Sequence, residues 1–170
     1  MITDFLSEEN ITLHKEYIRQ KRLKYSILES SLPSVRGASV GDLFRLKLDK
    51  RDRRDALLLL PEIVLHDVFF SSFSEERYVR SEPVSSIYGS EAKLLNELYR
   101  LSKDKSHGFL IIDSGGSASV VTDYATALRF STPKLALDLC EHAYFLDYGF
   151  DKERYLVTAL SYLNLKKITT

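Results

Sequence analysis

The sequence contains no tryptophan, a single cysteine and no excess of charge of either sign. Its 24 Lys and Arg side chains are balanced by 24 Asp and Glu side chains, which removes net positive charge as a basis for binding nucleic acid or an anionic membrane. Cys140 cannot form a disulfide within the chain, so a reducing, cytoplasmic location is expected. Apolar clusters at residues 56–60 and 63–68 are far too short to span a membrane. We therefore expect no nucleic-acid and no membrane partner.

The apolar content is that of a folded protein. Hydrophobic residues make up 44% and charged residues 28% of the 170 positions, which excludes disorder and suits one compact domain, or two small lobes that share a core. Acidic residues among the first ten fit neither a secretion signal nor a transit peptide. We divide the chain into an N-terminal helical half, residues 1–82, and a C-terminal α/β half, residues 83–170.

The N-terminal half predicts a helical hairpin. A helix capped by Ser7 should run to Ser30 or Ser31, with its apolar residues on one face. A shorter helix is expected over residues 40–48, and a long buried helix over 56–73, with Pro61 in its first turn or at a kink. The run of alternating charges at residues 49–55 is interpreted as a solvated turn or helix face rather than a nucleic-acid site.

The C-terminal half changes to strand periodicity. Ser90 should cap a helix, and residues 108–113 and 117–122 flank a Ser-Gly-Gly turn, which predicts a β-hairpin. A third strand is expected at residues 134–139 and a last helix at 151–165, whereas 71–86 resembles an irregular connection. The predicted class is α+β: a helical hairpin half, then a small three-stranded antiparallel sheet flanked by helices.

The histidines are the first candidates for chemistry. His14 and His66 lie on apolar helical faces, where a histidine is often an ordinary core residue. Asp138 and His142 are four residues apart, a spacing that can place both on one side of a helical turn. None of these patterns by itself establishes a site.

Taken together, these segments resemble the iron/manganese superoxide dismutases. Asp138-Leu-Cys-Glu-His-Ala-Tyr-Phe-Leu-Asp-Tyr148 is similar to that family's Asp-Val-Trp-Glu-His-Ala-Tyr-Tyr signature and the Asp-Tyr after it. The segment ending in His14 resembles the family's first ligand helix, and Leu65-His-Asp-Val-Phe-Phe70 resembles its Asn-His-x-x-x-Trp motif. Tyr88-Gly-Ser90 and His107-Gly-Phe-Leu-Ile111 resemble two further family motifs in the same order.

The resemblance implies a mononuclear metal site and a redox activity. The family's ligands correspond to His14, His66, Asp138 and His142, and all four residue types are intact. Three imidazoles and one carboxylate suit iron or manganese, so one Fe or Mn ion per chain is expected. The implied reaction is dismutation of superoxide, a small anion, to dioxygen and hydrogen peroxide. The implied assembly is a homodimer in which Glu141 contacts the partner subunit's copy of His142.

The residues expected around the metal differ from the family's pattern. Phe70, Phe109 and Cys140 stand at tryptophan positions, and Glu62 stands where iron-type members have the glutamine that holds the bound solvent. We interpret Cys140 as a small buried residue rather than a redox thiol. Arg22 occupies the position of the gateway tyrosine, and Arg22 and Lys152 are the candidates for the substrate funnel.

Two alternatives to a dismutase remain at this point. One is a noncatalytic relative that keeps the fold and the metal as a structural or partner-binding protein, and it is motivated by the missing gateway tyrosine and glutamine. The other is an oxidase or peroxidase, because an altered environment can redirect a redox metal.

Overall fold

The computed structural model describes residues 2–79 and 81–168 as a helical half followed by a small sheet with helices beside it. This is the predicted α+β class. The helices are α1 (Glu8–Ser31), α2 (Val40–Arg45), α3 (Lys50–Ser71), α4 (Glu82–Tyr88), α5 (Glu91–Ser102), α6 (Tyr124–Ala127), α7 (Phe145–Tyr148) and α8 (Lys152–Ser161). Short 3-10 helices cover Ile2–Asp4, Pro33–Val35, Glu141–Ala143 and Leu165–Lys167.

Helix α1 begins where the sequence predicts, because the Ser7 side chain accepts a hydrogen bond from the Asn10 amide. Helix α3 starts earlier than predicted. Asp49 caps it, and the alternating charges form its first turns, where they are partly to fully exposed. Pro61 therefore lies in the middle of α3 and not in its first turn; the helix continues because the packing of residues around Pro61 outweighs one missing backbone hydrogen bond.

The sheet is the predicted three-stranded antiparallel one. Its strands are β1 (Phe109–Ile112), β2 (Ala118–Val121) and β3 (Leu135–Asp138), in the order β2-β1-β3. Leu110 faces Val120 on one side and Leu137 on the other. The central strand is thereby buried, and β3 ends at Asp138, next to the helical half.

Helix α4 lies in the segment that was predicted to be irregular. Pro83 is compatible with this helix because it lies in the first turn, where a backbone N–H has no acceptor within the helix. Gly89 ends the helix with a φ of 80°. The predicted boundary between residues 82 and 83 falls in the first turn of α4.

The main core joins residues from both halves, including Leu65 and Phe69 of α3 with Phe109 and Leu137 of the sheet. A smaller core, around Tyr25, Leu43 and Ile63, fills the far end of the helical hairpin. The division of the chain into two halves stays a prediction. Within the described ranges, no helix combines the length and apolar character needed to cross a membrane.

Candidate metal centre

Four side chains converge where the helical hairpin meets the end of β3. The Nε2 atoms of His14 and His66 each lie 3.4 Å from Oδ2 of Asp138, and Nε2 of His142 lies 3.0 Å from the same oxygen. One donor atom from each residue lies within 4.8 Å of all the others. Two donors about 2.1 Å from a shared ion lie roughly 3.0–3.6 Å apart at angles of about 90–120°. The three distances from Asp138 to the histidines therefore suit donors that share a single metal ion.

Three of the four donor atoms have no hydrogen-bond partner among the residues that the structure describes. Oδ2 of Asp138 and the Nε2 atoms of His14 and His66 are buried without a hydrogen bond of good geometry. Leaving a buried polar atom unpaired costs about 1–3 kcal/mol. An ion that accepted these lone pairs would remove that cost, and a set of three imidazoles and one carboxylate suits iron or manganese. The residues present thus fit the metal implied by the sequence.

The two helices orient the first pair of donors. His14 lies on the inner face of α1 with Ile11 and Ile18, and its side chain is fully buried. On α3, Nδ1 of His66 lies 2.7 Å from the carbonyl oxygen of Glu62, so this nitrogen donates its proton to that oxygen. Because Nδ1 is the protonated nitrogen, Nε2 of His66 presents a free lone pair to the cluster.

Asp138 is the last residue of β3, and His142 lies in the 3-10 helix Glu141–Ala143. The two residues therefore do not share a helical turn, as their spacing had suggested; the chain reverses at the strand end and brings them together. The Cys140 amide donates to Oδ1 of Asp138 at 2.9 Å, which leaves Oδ2 for the cluster. The Tyr155 hydroxyl donates to the Asp138 carbonyl at 2.8 Å and holds the strand end in place.

The charges of the cluster are coupled. Burial opposes ionisation of Asp138, but its contacts with the three histidines hold the pKa of this carboxyl well below its usual range. Burial lowers the pKa of His14. Burial also opposes protonation of His142, yet the Asp138 carboxylate raises the pKa of His142. The site is therefore built around a buried carboxylate that needs a cationic partner, either a proton on an imidazole or a metal ion.

Aromatic rings enclose the buried ligands. The ring of Phe70 lies 5.2 Å from that of His14, and the ring of Phe109 lies 5.0 Å from that of His66, measured between centroids. Cys140 is partly buried, and burial together with the Asp138 charge raises the pKa of its thiol to about 12. The thiol is therefore protonated at neutral pH and unreactive.

The predicted funnel residues make contacts with residues next to the ligands along the chain. The Arg22 guanidinium pairs with Asp67 of α3, and both side chains are about half exposed. The Lys152 ammonium donates to the carbonyls of Lys105 and Leu139. Glu141 is exposed beside His142.

Three residues near the cluster were missed in the sequence. The Tyr17 hydroxyl donates to Oε1 of Glu62, and the Lys21 ammonium lies 2.9 Å from Oε2 of the same carboxylate. Tyr124 packs its ring 5.3 Å from that of Phe109. Tyr17 and Lys21 follow His14 by three and seven residues, so helical periodicity could have assigned both to the side of α1 that carries the ligand.

Comparison with known proteins identifies the relatives of this chain. The family model described as "Iron/manganese superoxide dismutases, C-terminal domain" matches residues 81–170, which include Asp138 and His142 but not the two helical histidines. An iron superoxide dismutase of Cupriavidus metallidurans is 26% identical over 128 residues, which cover 69% of this chain and 65% of that protein. The match thus spans just under two thirds of the relative's length. With more than half of its length matched, the chain belongs to the iron/manganese superoxide dismutase family.

Proposed function

We propose that this protein is a metal-dependent superoxide dismutase with one iron or manganese ion per chain, held by His14, His66, Asp138 and His142. The observation that carries the proposal is the convergence of three imidazole nitrogens on one buried aspartate oxygen, with no other partner for the buried donors. Residues 1–82 supply two ligands and residues 83–170 the other two. The named activity of the Cupriavidus metallidurans relative supports this assignment.

Residues around the proposed site orient the metal ligands and shield them from water. The Glu62 carbonyl fixes the His66 ring, and the Cys140 amide fixes the Asp138 carboxylate, so both ligands are oriented before metal enters. The rings of Phe70 and Phe109 exclude water from the buried side. A bound redox metal would supply the alternation between its +3 and +2 states by which one superoxide is oxidised and the next reduced. The Glu62 carboxylate is the proposed partner of the solvent on the open side.

The decisive experiment combines metal analysis with an activity assay. The protein is expressed with iron or manganese, the metal per chain is measured, and superoxide removal is assayed beside His66→Ala. We expect activity to fall more than about 100-fold in this variant. His107→Ala is the matched control, because His107 is exposed and lies outside the cluster.

Stoichiometric iron or manganese without superoxide removal would favour the second candidate, a noncatalytic relative that keeps its metal. One observation favours this second candidate: Arg22, at the position of the family's gateway tyrosine, is paired with Asp67. Zinc alone, or no metal at all, would contradict the dismutase assignment.

We also propose a cytoplasmic homodimer formed around His142. The supporting observation is an exposed apolar surface on the same turn: Phe145 is 46% exposed, Leu146 50% and Phe150 91%. Glu141 is exposed beside these residues, where it could reach the partner's copy of His142. Sedimentation equilibrium of the protein and of Phe150→Ser tests this: the protein should be a dimer, and the variant should dissociate at higher concentration. A monomeric wild-type protein would contradict the dimer.

A further inference from the structure

One carboxylate ties the start of the chain to a segment near its end, beside the proposed ligands. Oδ2 of Asp147 accepts a hydrogen bond from the backbone amide of Ser7 and another from the side-chain amide of Asn10, each at 2.9 Å. Ser7 is the N-cap of α1, and Asp147 lies in α7. The neighbouring Tyr148 hydroxyl donates to the Phe5 carbonyl at 2.6 Å. These contacts join segments that lie more than 130 positions apart in the chain.

The α1 end of this contact is close to a ligand. Asn10 precedes His14 by four residues, so the two side chains lie one turn apart on the same face of α1. Asn10 is 1% exposed. Because its side chain is buried, loss of the Asp147 carboxylate would leave a buried donor unpaired. The contact therefore holds the first turns of α1 against α7.

The α7 end is joined to a second ligand by hydrogen-bonded turns. The Tyr144 amide donates to the Glu141 carbonyl, and the Asp147 amide donates to the Tyr144 carbonyl, both at 3.1 Å. His142 lies within this run, five residues before Asp147. The position of the His142 backbone is thus coupled to that of Asp147.

His14 and His142 depend on this coupling more than His66 does. Nδ1 of His66 is fixed by the Glu62 carbonyl, whereas Nδ1 of His14 has no hydrogen-bond partner in the described part of the chain. The rings of His14 and His142 lie 5.0 Å apart, measured between centroids. Their separation is therefore set by the backbone segments that carry them, and Asp147 holds these segments together.

We propose that Asp147 is a positioning residue for the metal site, which keeps His14 of α1 and His142 at the separation that a shared ion requires. Asp147 lies outside the cluster of four donors and does not itself bind the ion. The role rests on the proposed metal site. It acts within one chain, so it does not depend on the homodimer proposed around His142.

Metal binding to the metal-free protein measures this role. Isothermal titration calorimetry with Mn²⁺, and with Fe²⁺ in the absence of oxygen, gives the Kd of the wild type and of Asp147→Ala. We expect Asp147→Ala to raise Kd by about 10- to 100-fold, as loss of a residue that orients a ligand does. Asp147→Asn retains an oxygen that can accept both hydrogen bonds, so it should raise Kd by less than Asp147→Ala.

Asp49→Ala is the matched control. Asp49 is likewise an exposed carboxylate at the start of a ligand helix, and it caps α3 by accepting a hydrogen bond from the Asp52 amide at 2.8 Å. Because this contact stays at the start of α3, Asp49→Ala should lower stability in urea but leave Kd unchanged. If Asp147→Ala does not fold, Asn10→Leu decides: it removes the buried end of the contact and should also raise Kd.

A second background separates this role from dimer formation. Phe150→Ser disrupts the proposed dimer surface, and Asp147→Ala should raise Kd by the same factor in this background as in the wild type. An effect that vanishes in Phe150→Ser would show that Asp147 acts through the dimer, and would overturn the proposal.

The proposal is also overturned if Asp147→Ala binds metal with the wild-type Kd, if Asp49→Ala weakens binding as much, or if Asp147→Asn is as weak as Asp147→Ala. Binding that depends on Asp147 in a protein without dismutase activity would refute the proposed function and leave the positioning role standing. A wild-type protein that binds neither ion would overturn the metal site and this role together.

Discussion

Removal of metal should lower the stability of this protein by a predictable amount. Three buried donor atoms of the cluster lack hydrogen-bond partners among the described residues, and the Asp138 carboxylate is fully buried. We therefore expect the native state to bind an ion that the unfolded chain does not. At a free metal concentration about 100 times the dissociation constant, binding adds about 2.7 kcal/mol to the free energy of unfolding. For a domain of this size, about 2–4 °C of melting temperature corresponds to each kcal/mol. Iron or manganese should therefore raise Tm by roughly 5–11 °C, and a chelator should reverse the change.

The assay is thermal unfolding followed by circular dichroism, with and without each metal. Asp138→Asn keeps the side chain's shape and its acceptor for the Cys140 amide but removes the negative charge, so its Tm should not respond to metal. Metal should raise the Tm of His107→Ala as much as that of the wild type, because His107 lies outside the cluster. An equal rise in the wild type and in Asp138→Asn would refute the reasoning, since the metal would then bind elsewhere. No rise with either metal would refute the site itself.

Three further predictions concern stability and reactivity. Ser72→Ala should lower the free energy of unfolding in urea by about 1–3 kcal/mol, because it leaves the buried Ala136 amide without its acceptor. Ser71→Ala is the control: its hydroxyl donates to the same Val68 carbonyl as that of Ser72, and its loss should change the free energy of unfolding little. Alkylation of Cys140 by iodoacetamide at pH 8 should be at least about 100-fold slower in the native than in the unfolded protein, because its raised pKa keeps the thiol protonated; equal rates would contradict this. Since the pKa of Asp138 is depressed by folding, its contribution to the stability of the metal-free protein is present above about pH 4 and is lost as pH falls through the lower folded value. The urea midpoint of Asp138→Asn should accordingly vary less with pH in that range than the wild-type midpoint.

The elements of the fold follow largely from local sequence. Ser7 and Ser90 cap α1 and α5 as predicted, because capping depends on a side chain and an amide three residues later. The hairpin of β1 and β2 and the strand at β3 also follow from their periodicity and turn residues. The start of α3 was misplaced, because charged residues at 50–55 obscure a helix that its Asp49 cap begins.

The candidate site was only partly predictable. The four donor residues are identified by a resemblance that runs through distant segments, and the structure brings their side chains together. The sequence did not predict Tyr17 at the site, because the family's tyrosine position corresponds to Arg22. A position in an alignment does not say which face of a helix is used, and here Tyr17, three positions after His14, packs its ring 4.9 Å from that of His142.

By itself, the sequence determined what is local or compositional: the capped helices, the hairpin, the balanced charge, and the residue types able to bind a metal. Only the tertiary structure decided which lone pairs lack partners among the described residues, which ligand is most exposed in the single chain, and which ring packs against it. The reason is physical. Helix and strand preferences act over a few residues, whereas the burial of Asp138 against His14 and His66 depends on packing between segments more than 70 residues apart along the chain.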